Sequence, residues 1–117
     1  MCGIAGIVTA GGCESDDPMR VRRMLQSLAH RGPDDQHDES DSHAIIGSRR
    51  LAIIDLDTGR QPLCNEDGTV VVSQNGEIYN YIELREELSS RGHRFRTEGD
   101  TEVIAHAYEE YGTNLVD

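Results

Sequence analysis

The chain has 117 residues, of which 36% are apolar, and a formal net charge of −11 from 22 acidic and 11 basic residues. This length forms one domain at most, and the acidic balance disfavours nucleic acids and anionic membranes as partners, because both bind positively charged faces. Three cysteines without a CxxC pair predict a reducing cytoplasm, and the short apolar run near the start predicts neither a membrane span nor a signal peptide.

The first stretch, Met1-Cys2-Gly3-Ile4-Ala5-Gly6-Ile7-Val8, predicts a strand with a cysteine at its head. If the initiator methionine is removed, Cys2 has a free α-amino group beside its thiol. An α-amino group titrates at about 7.7–8.0, so it can accept the thiol proton near neutral pH. Taken alone, the pattern favours an ordinary small, buried apolar residue at a frayed terminus.

A helix follows, beginning near Asp16-Asp17-Pro18 and ending at residues 30–34, where Gly32 is expected in the left-handed conformation. Its predicted core face is Val21, Met24, Leu25 and Leu28. Residues 35–43 are polar and acidic, which predicts an exposed loop. Two strands are predicted at residues 44–46 and 51–54, separated by Gly47-Ser48-Arg49-Arg50.

The second half of the chain predicts a hairpin followed by two helices. Asp67-Gly68 is a hairpin signal, and a strand at residues 70–74 leads into Asn75-Gly76-Glu77. Asn80 and Glu83 have the spacing of a capping box for a helix that ends at Gly92. A short strand is expected at Phe95, and then a helix whose apolar face is formed by Ile104, Ala107, Tyr108 and Tyr111. The alternation of elements indicates an α/β or α+β layer fold.

Four positions suit an attack of a thiolate on an amino-acid carboxamide. The Asn75 side chain and the amide at Gly76 could stabilise an oxyanion, although an isolated Asn-Gly is usually a turn. Arg50 could bind an α-carboxylate in a bidentate manner, or be a surface charge at a strand end. Asp100 could bind an α-ammonium group, or be an ordinary N-cap.

Five motifs occur together and in a fixed order over nearly the whole chain. With them the chain resembles the glutaminase domain of glutamine-hydrolysing asparagine synthetases, a branch of the class II glutamine amidotransferases. The motifs are Met1-Cys2-Gly3-Ile4-Ala5-Gly6-Ile7, His30-Arg31-Gly32-Pro33-Asp34, Arg50-Leu51-Ala52-Ile53-Ile54-Asp55, Asn75-Gly76-Glu77-Ile78-Tyr79-Asn80 and Gly99-Asp100-Thr101-Glu102-Val103.

The resemblance implies glutamine hydrolysis to glutamate and ammonia through a γ-glutamyl thioester on Cys2, which becomes residue one after Met1 is removed. It further implies an oxyanion hole at Asn75 and Gly76. The implied glutamine-binding residues are Arg50, Leu51, Ile53, Ile54, Asn75, Gly76, Glu77 and Asp100, with His30 and Arg31 in support. The implied fold is α+β, an N-terminal-nucleophile (Ntn) hydrolase sandwich of four α/β/β/α layers with antiparallel sheets.

The resemblance also implies that residues 1–117 are an incomplete N-terminal domain, truncated at its C-terminus. Neither a Gly-Lys-Ser/Thr P-loop nor a Ser-Gly-Gly-x-Asp-Ser loop is present. ATP and magnesium are therefore expected only in a missing C-terminal synthetase domain or subunit, which would use the ammonia to amidate aspartate. A homodimer of the full-length protein is a further expectation.

Three alternatives stay open. The chain could belong to a class II amidotransferase with another acceptor, or be a non-catalytic fragment that binds glutamine or a partner chain. The third alternative is a metal site built from the cysteines and the histidines, namely His30, His37, His43, His93 and His106. No pair of these residues has ligand spacing on one element, so we predict no metal site.

Overall fold

The structure is a computed structural model that describes residues 2–51 and 59–116. Within these ranges it shows mixed helix and antiparallel sheet, as the α+β prediction requires. No helix in this part of the chain is both long and apolar enough to cross a membrane. In chain order the elements are β1 (Gly3–Val8), α1 (Asp17–Ser27), β2 (Asp35–Ser40), β3 (Ala44–Arg50), β4 (Leu63–Cys64), β5 (Val71–Val72), α2 (Tyr81–Ser90), α3 (Thr101–Tyr111) and a 3₁₀ helix (Gly112–Val116).

The described residues divide into two compact units. Unit 1 consists of the described residues up to Leu51, with Arg60–Pro62 and Ser73–Gly76. Unit 2 consists of Gly59, Leu63–Val72 and the described residues from Glu77 onward.

Unit 1 is built on a three-stranded antiparallel sheet with β3 in the centre, in the order β1-β3-β2. Gly3 pairs with Arg49 and Val8 with Ala44, which confirms the predicted first strand. Helix α1 covers this sheet, and its Val21 and Leu25 pack with Ile45 in a core where all three are at most 1% exposed. Pro18 stands in the first turn of α1, as predicted.

The predicted break at residues 47–50 is wrong, because β3 runs without interruption through them. These residues interrupt the apolar pattern for a packing reason. A Cβ atom on Gly47 would lie 2.5 Å from Cδ1 of Leu25, so the small residue lets α1 approach the sheet. The second predicted strand begins at Leu51, which is not in a strand, and its remainder lies outside the described residues.

The predicted exposed loop at residues 35–43 is wrong for Asp35–Ser40, which form the edge strand β2, and is confirmed only for residues 41–43. Asp35 pairs with Arg50 and Ser40 with Ile45. Backbone pairing to a central strand does not require apolar side chains, and charged residues are usual on a sheet edge. The polar side chains of residues 35–40 therefore do not reveal this strand in the sequence.

Unit 2 combines the β4–β5 hairpin with α2 and α3. The Asp67-Gly68 turn is confirmed, with Gly68 at a φ of +77°, although β5 is shorter than the predicted strand. The core of this unit contains Leu88, Val103 and Ala107, with Phe95 packed against it.

Two local predictions in unit 2 are wrong, and the predicted apolar face of α3 is confirmed for Ala107 and Tyr111 but not for Tyr108. Asn80 precedes α2 but makes no side-chain capping hydrogen bond. Phe95 lies in no strand, because its ring packs on the helices instead. On α3 the buried face is formed by Val103, His106 and Ala107, whereas Tyr108 is 46% exposed.

Candidate active site

Cys2 lies at the head of β1 and is partly buried, with a free thiol. Its Sγ lies 3.9 Å from the carbonyl oxygen of Leu51, toward which the thiol donates. The Leu51 carbonyl comes directly after β3, the strand that pairs with β1. The sheet register therefore brings together two of the predicted site residues that are 49 positions apart in sequence.

Of the two predicted supporting residues, Arg31 contacts Cys2. Its guanidinium Nε donates to the carbonyl oxygen of Cys2 over 3.2 Å. His30 is exposed, and its Nδ1 lies 3.1 Å from the carbonyl oxygen of Ser27 instead. Arg31 is thus positioned to fix the backbone of the nucleophile, whereas His30 belongs to the end of α1.

Gly32 has a different role from the predicted left-handed cap, because its φ does not lie in the left-handed region. A Cβ atom at Gly32 would lie 2.3 Å from the carbonyl carbon of Arg49. Only glycine allows the 31–34 turn to approach the end of β3 so closely. The close approach brings Arg31 to Cys2 and aligns Asp34, whose amide donates to the Arg50 carbonyl oxygen over 3.0 Å.

Arg50 is the last residue of β3, and it is only 8% exposed. A guanidinium group this far buried is not the surface charge that the sequence allowed as an alternative. Ile53 and Ile54, the other predicted residues of this motif, lie outside the described residues.

Asn75 and Gly76 form an exposed bend that also belongs to unit 1. Gln74, the residue before Asn75, is held in place by the side chain of Gln61, which the sequence analysis did not single out. Gln61 is 8% exposed, and its Oε1 accepts a hydrogen bond from the backbone amide of Gln74 over 2.7 Å. No short-range pattern marks such a contact, because the two residues are 13 positions apart.

Glu77 and Asp100 belong to unit 2. Glu77 is exposed, whereas Asp100 is 8% exposed at the start of α3. Asp100 makes no side-chain cap to its own helix; its Oδ2 accepts a hydrogen bond from the amide of Ile78 over 2.7 Å. The carboxylate therefore joins two predicted motifs, residues 75–80 and 99–103.

Glu102 is a buried anchor that the sequence analysis quoted only as part of a motif. It is 1% exposed, and its Oε2 accepts from the amide of Thr97 over 2.8 Å and from the Thr97 hydroxyl over 2.6 Å. The amide of Arg96 donates to the same carboxylate. These bonds fix the segment before α3, and with it the position of Asp100.

The family model for the glutamine amidotransferase domain matches residues 1–117, the whole chain. The chain belongs to this family. An asparagine synthetase [glutamine-hydrolyzing] 1 from Arabidopsis thaliana is 48% identical over 120 residues, covering 100% of this chain and 20% of that protein. An asparagine synthetase [glutamine-hydrolyzing] 2 from Bacillus subtilis is 45% identical, with 100% of this chain and 16% of that protein covered.

The chain thus spans about one fifth of the length of the curated relatives that it matches, and all of it aligns with them. The part of those relatives that matches this chain is thus a glutamine amidotransferase domain. The family match also confirms the resemblance inferred from the five motifs.

Proposed function

We propose that this domain hydrolyses L-glutamine to glutamate and ammonia, as the glutaminase part of an asparagine synthetase. The most direct support is the family match over residues 1–117, together with the position of Cys2. In unit 1 the thiol stands at the head of β1, beside the Leu51 carbonyl and the Arg31 guanidinium.

The proposed chemistry begins once Met1 has been removed. The α-amino group of Cys2 takes the thiol proton, and the thiolate attacks the side-chain carboxamide carbon of glutamine. The carbonyl oxygen becomes an oxyanion, for which Asn75 Nδ2 and the Gly76 amide are the proposed donors. The ammonium form of the α-amine then protonates the leaving nitrogen, ammonia departs and a γ-glutamyl thioester remains, which water hydrolyses to glutamate and free thiol.

The remaining proposed roles follow from charge. Arg50 offers two parallel N–H donors to the glutamine α-carboxylate, and Asp100 offers a carboxylate to the α-ammonium group. Backbone groups of Leu51, Ile53, Ile54 and Glu77 are proposed to complete substrate binding. The Asp100 Oδ2 bond to Ile78 supports its role, because it orients the carboxylate without neutralising its charge.

In the complete enzyme we propose a four-layer sandwich for this domain and a synthetase domain beyond residue 117. That second domain would use ATP and magnesium to activate aspartate for amidation by the ammonia. The chain itself has no P-loop sequence and no Lys, so no step proposed for it involves a nucleotide.

The test is intact-mass measurement on the purified chain, before and after exposure to a glutamine-like electrophile that alkylates an attacking thiol. We expect loss of Met1 and one adduct on Cys2, blocked by excess glutamine. Cys2→Ala should remove both the adduct and ammonia release, whereas Cys13→Ala, which removes another partly buried thiol of unit 1, should retain both. Undiminished ammonia release by Cys2→Ala would refute the proposal.

A further inference from the structure

Four side chains of unit 2 converge although they are spread over 44 residues of sequence. They are Glu66 in the β4–β5 turn, His93 after α2, and His106 and Glu109 on α3. One ligand atom from each lies within 4.8 Å of every other. None of these residues has a part in the proposed glutamine chemistry.

Three nitrogen–oxygen distances in the cluster are close to those of a coordination shell, and the two histidines approach different oxygens of Glu66. Nδ1 of His106 lies 3.2 Å from Oε2 of Glu66, and Nδ1 of His93 lies 3.3 Å from Oε1 of Glu66 and 3.7 Å from Oε2 of Glu109. A tetrahedral zinc ion with metal–ligand bonds of about 2.0–2.1 Å separates its ligand atoms by about 3.3 Å.

Both imidazole rings are oriented by a second carboxylate on the opposite nitrogen. Nε2 of His106 lies 3.4 Å from Oε1 of Glu102, and Nε2 of His93 lies 3.1 Å from Oε1 of Glu110. In the tautomer with the hydrogen on Nε2, each ring donates a hydrogen bond to this carboxylate. This leaves the lone pair of each Nδ1 directed into the cluster, which is the arrangement found around ligating histidines.

Without a cation, this arrangement is unfavourable. His106 is fully buried, and its Nδ1 has no hydrogen-bond partner among the described residues, although the Glu66 carboxylate stands 3.2 Å away. With its hydrogen on Nε2, the ring turns the Nδ1 lone pair toward the carboxylate oxygen, and two acceptors at that distance repel each other. A metal ion between the two atoms turns the repulsion into two bonds.

The surroundings hold the ligands in place and leave the cluster accessible. The Arg94 amide donates to Glu66 Oε1 over 2.7 Å, and Asn65 Nδ2 donates to Glu109 Oε2 over 3.1 Å. Glu66, His93 and Glu109 line a surface depression of about 470 Å³, through which an ion can enter.

We propose that Glu66, His93, His106 and Glu109 bind one Zn²⁺ ion. Two imidazole and two carboxylate ligands suit zinc, and four protein ligands make a closed, structural site rather than a catalytic one. The ion would fasten the β4–β5 turn and the segment after α2 to α3. Because such a site does not exist in the unfolded chain, binding should stabilise the fold of unit 2.

The test uses the whole chain purified without a histidine tag and stripped with a chelator. We expect one equivalent of Zn²⁺ to bind in a calorimetric titration and to raise the Tm of the protein. Cobalt in the same site should give the intense visible bands of a tetrahedral ion, without the near-ultraviolet thiolate band that cysteine ligation would produce.

Variants separate a built site from adventitious binding, and His106 is left unchanged because its ring is fully buried. His93→Gln and Glu109→Gln should each weaken zinc binding about 100-fold or more, and Glu110→Gln, which removes the partner of His93 Nε2, by about 10–100-fold. The matched controls are His37→Gln, whose ring also pairs with a glutamate, and exposed Glu86→Gln. Absence of stoichiometric binding, a thiolate–cobalt band, or equal affinity in all variants would overturn the proposal.

Discussion

In unit 1 the proposed nucleophile, Cys2, is partly accessible at the head of a strand. In unit 2 the polar side chains of Glu102 and His106 are buried and hydrogen-bonded. Cys2 is partly buried and is held mainly through its backbone by Arg31, and Asn75 stands in an exposed bend. In unit 2 the carboxylate of Glu102 and the ring of His106 are 1% and 0% exposed. Cys2 and Asn75 of unit 1 are thus accessible for chemistry, whereas Glu102 and His106 of unit 2 are buried as part of the structure.

The largest expected effect tests the first half of this comparison. Asn75→Ala should lower the turnover of glutamine by about 10²–10³-fold, because it removes one oxyanion donor. Its free energy of unfolding should stay within about 0.5 kcal/mol of the original, because the side chain is exposed. Steady-state ammonia release and chemical denaturation measure the two quantities on the same sample.

The matched control for this variant is Asn114→Ala, which removes an exposed asparagine in the 3₁₀ helix. It should change neither turnover nor stability. A loss of stability in Asn75→Ala as large as its loss of activity would show that this bend is structural and would remove the contrast between the units.

The next prediction tests the structural role of the buried polar residues in unit 2. Glu102→Ala should lower the free energy of unfolding by about 3 kcal/mol or more, because it leaves the amides of Arg96 and Thr97 without their acceptor in a buried position. Denaturant titration followed by circular dichroism measures this loss. Glu86→Ala, an exposed change on α2, should stay within about 0.5 kcal/mol. Similar values for the two variants would contradict the structural role of Glu102.

A smaller loss is expected from Gly32→Ala, which forces a Cβ atom against the backbone of Arg49. Displacing the turn or the end of β3 should cost about 1–3 kcal/mol. Gly11→Ala is the control, because nothing lies within 4 Å of the added atom, and its stability should be almost unchanged. If both glycines tolerated alanine equally, the close approach of the 31–34 turn to β3 would be incorrect.

The smallest effect concerns Asp41, at the turn between β2 and β3. Hydrogen bonds from the amides of His43 and Ala44, both 2.7 Å to Oδ1, lower the pKa of this carboxyl. Its contribution to stability is therefore present above the unfolded pKa of about 3.9 and is lost as the pH falls through the lower folded value. NMR titration of the carboxyl carbon should show the lowered pKa, and Asp41→Asn should flatten this part of the stability profile. An unshifted titration would contradict the turn.

Part of the site could be predicted from the sequence because its motifs are local. Cys2 was proposed from its own motif, and Leu51 and Arg31 from the family resemblance; the structure places both of them against Cys2. The predicted roles of Arg50, Asn75 and Asp100 in binding glutamine remain predictions. A cytoplasmic location and the truncation of this domain at its C-terminus also remain predictions. Sequence analysis missed Gln61 as the residue that holds Gln74, because that contact joins two segments without a shared pattern.

The sequence by itself determined the first strand, the helix that contains Pro18, the Asp-Gly hairpin and both later helices, because each depends on neighbouring residues. It also determined the family, through five motifs in a fixed order. Only the tertiary structure decided that acidic residues 35–40 form an edge strand, since that strand is specified by pairing with β3 rather than by its own side chains. The same holds for Gly32 and for the convergence of His93 with His106. Such contacts form when segments that are distant in sequence pack together, so the residue pattern of either segment alone does not predict them.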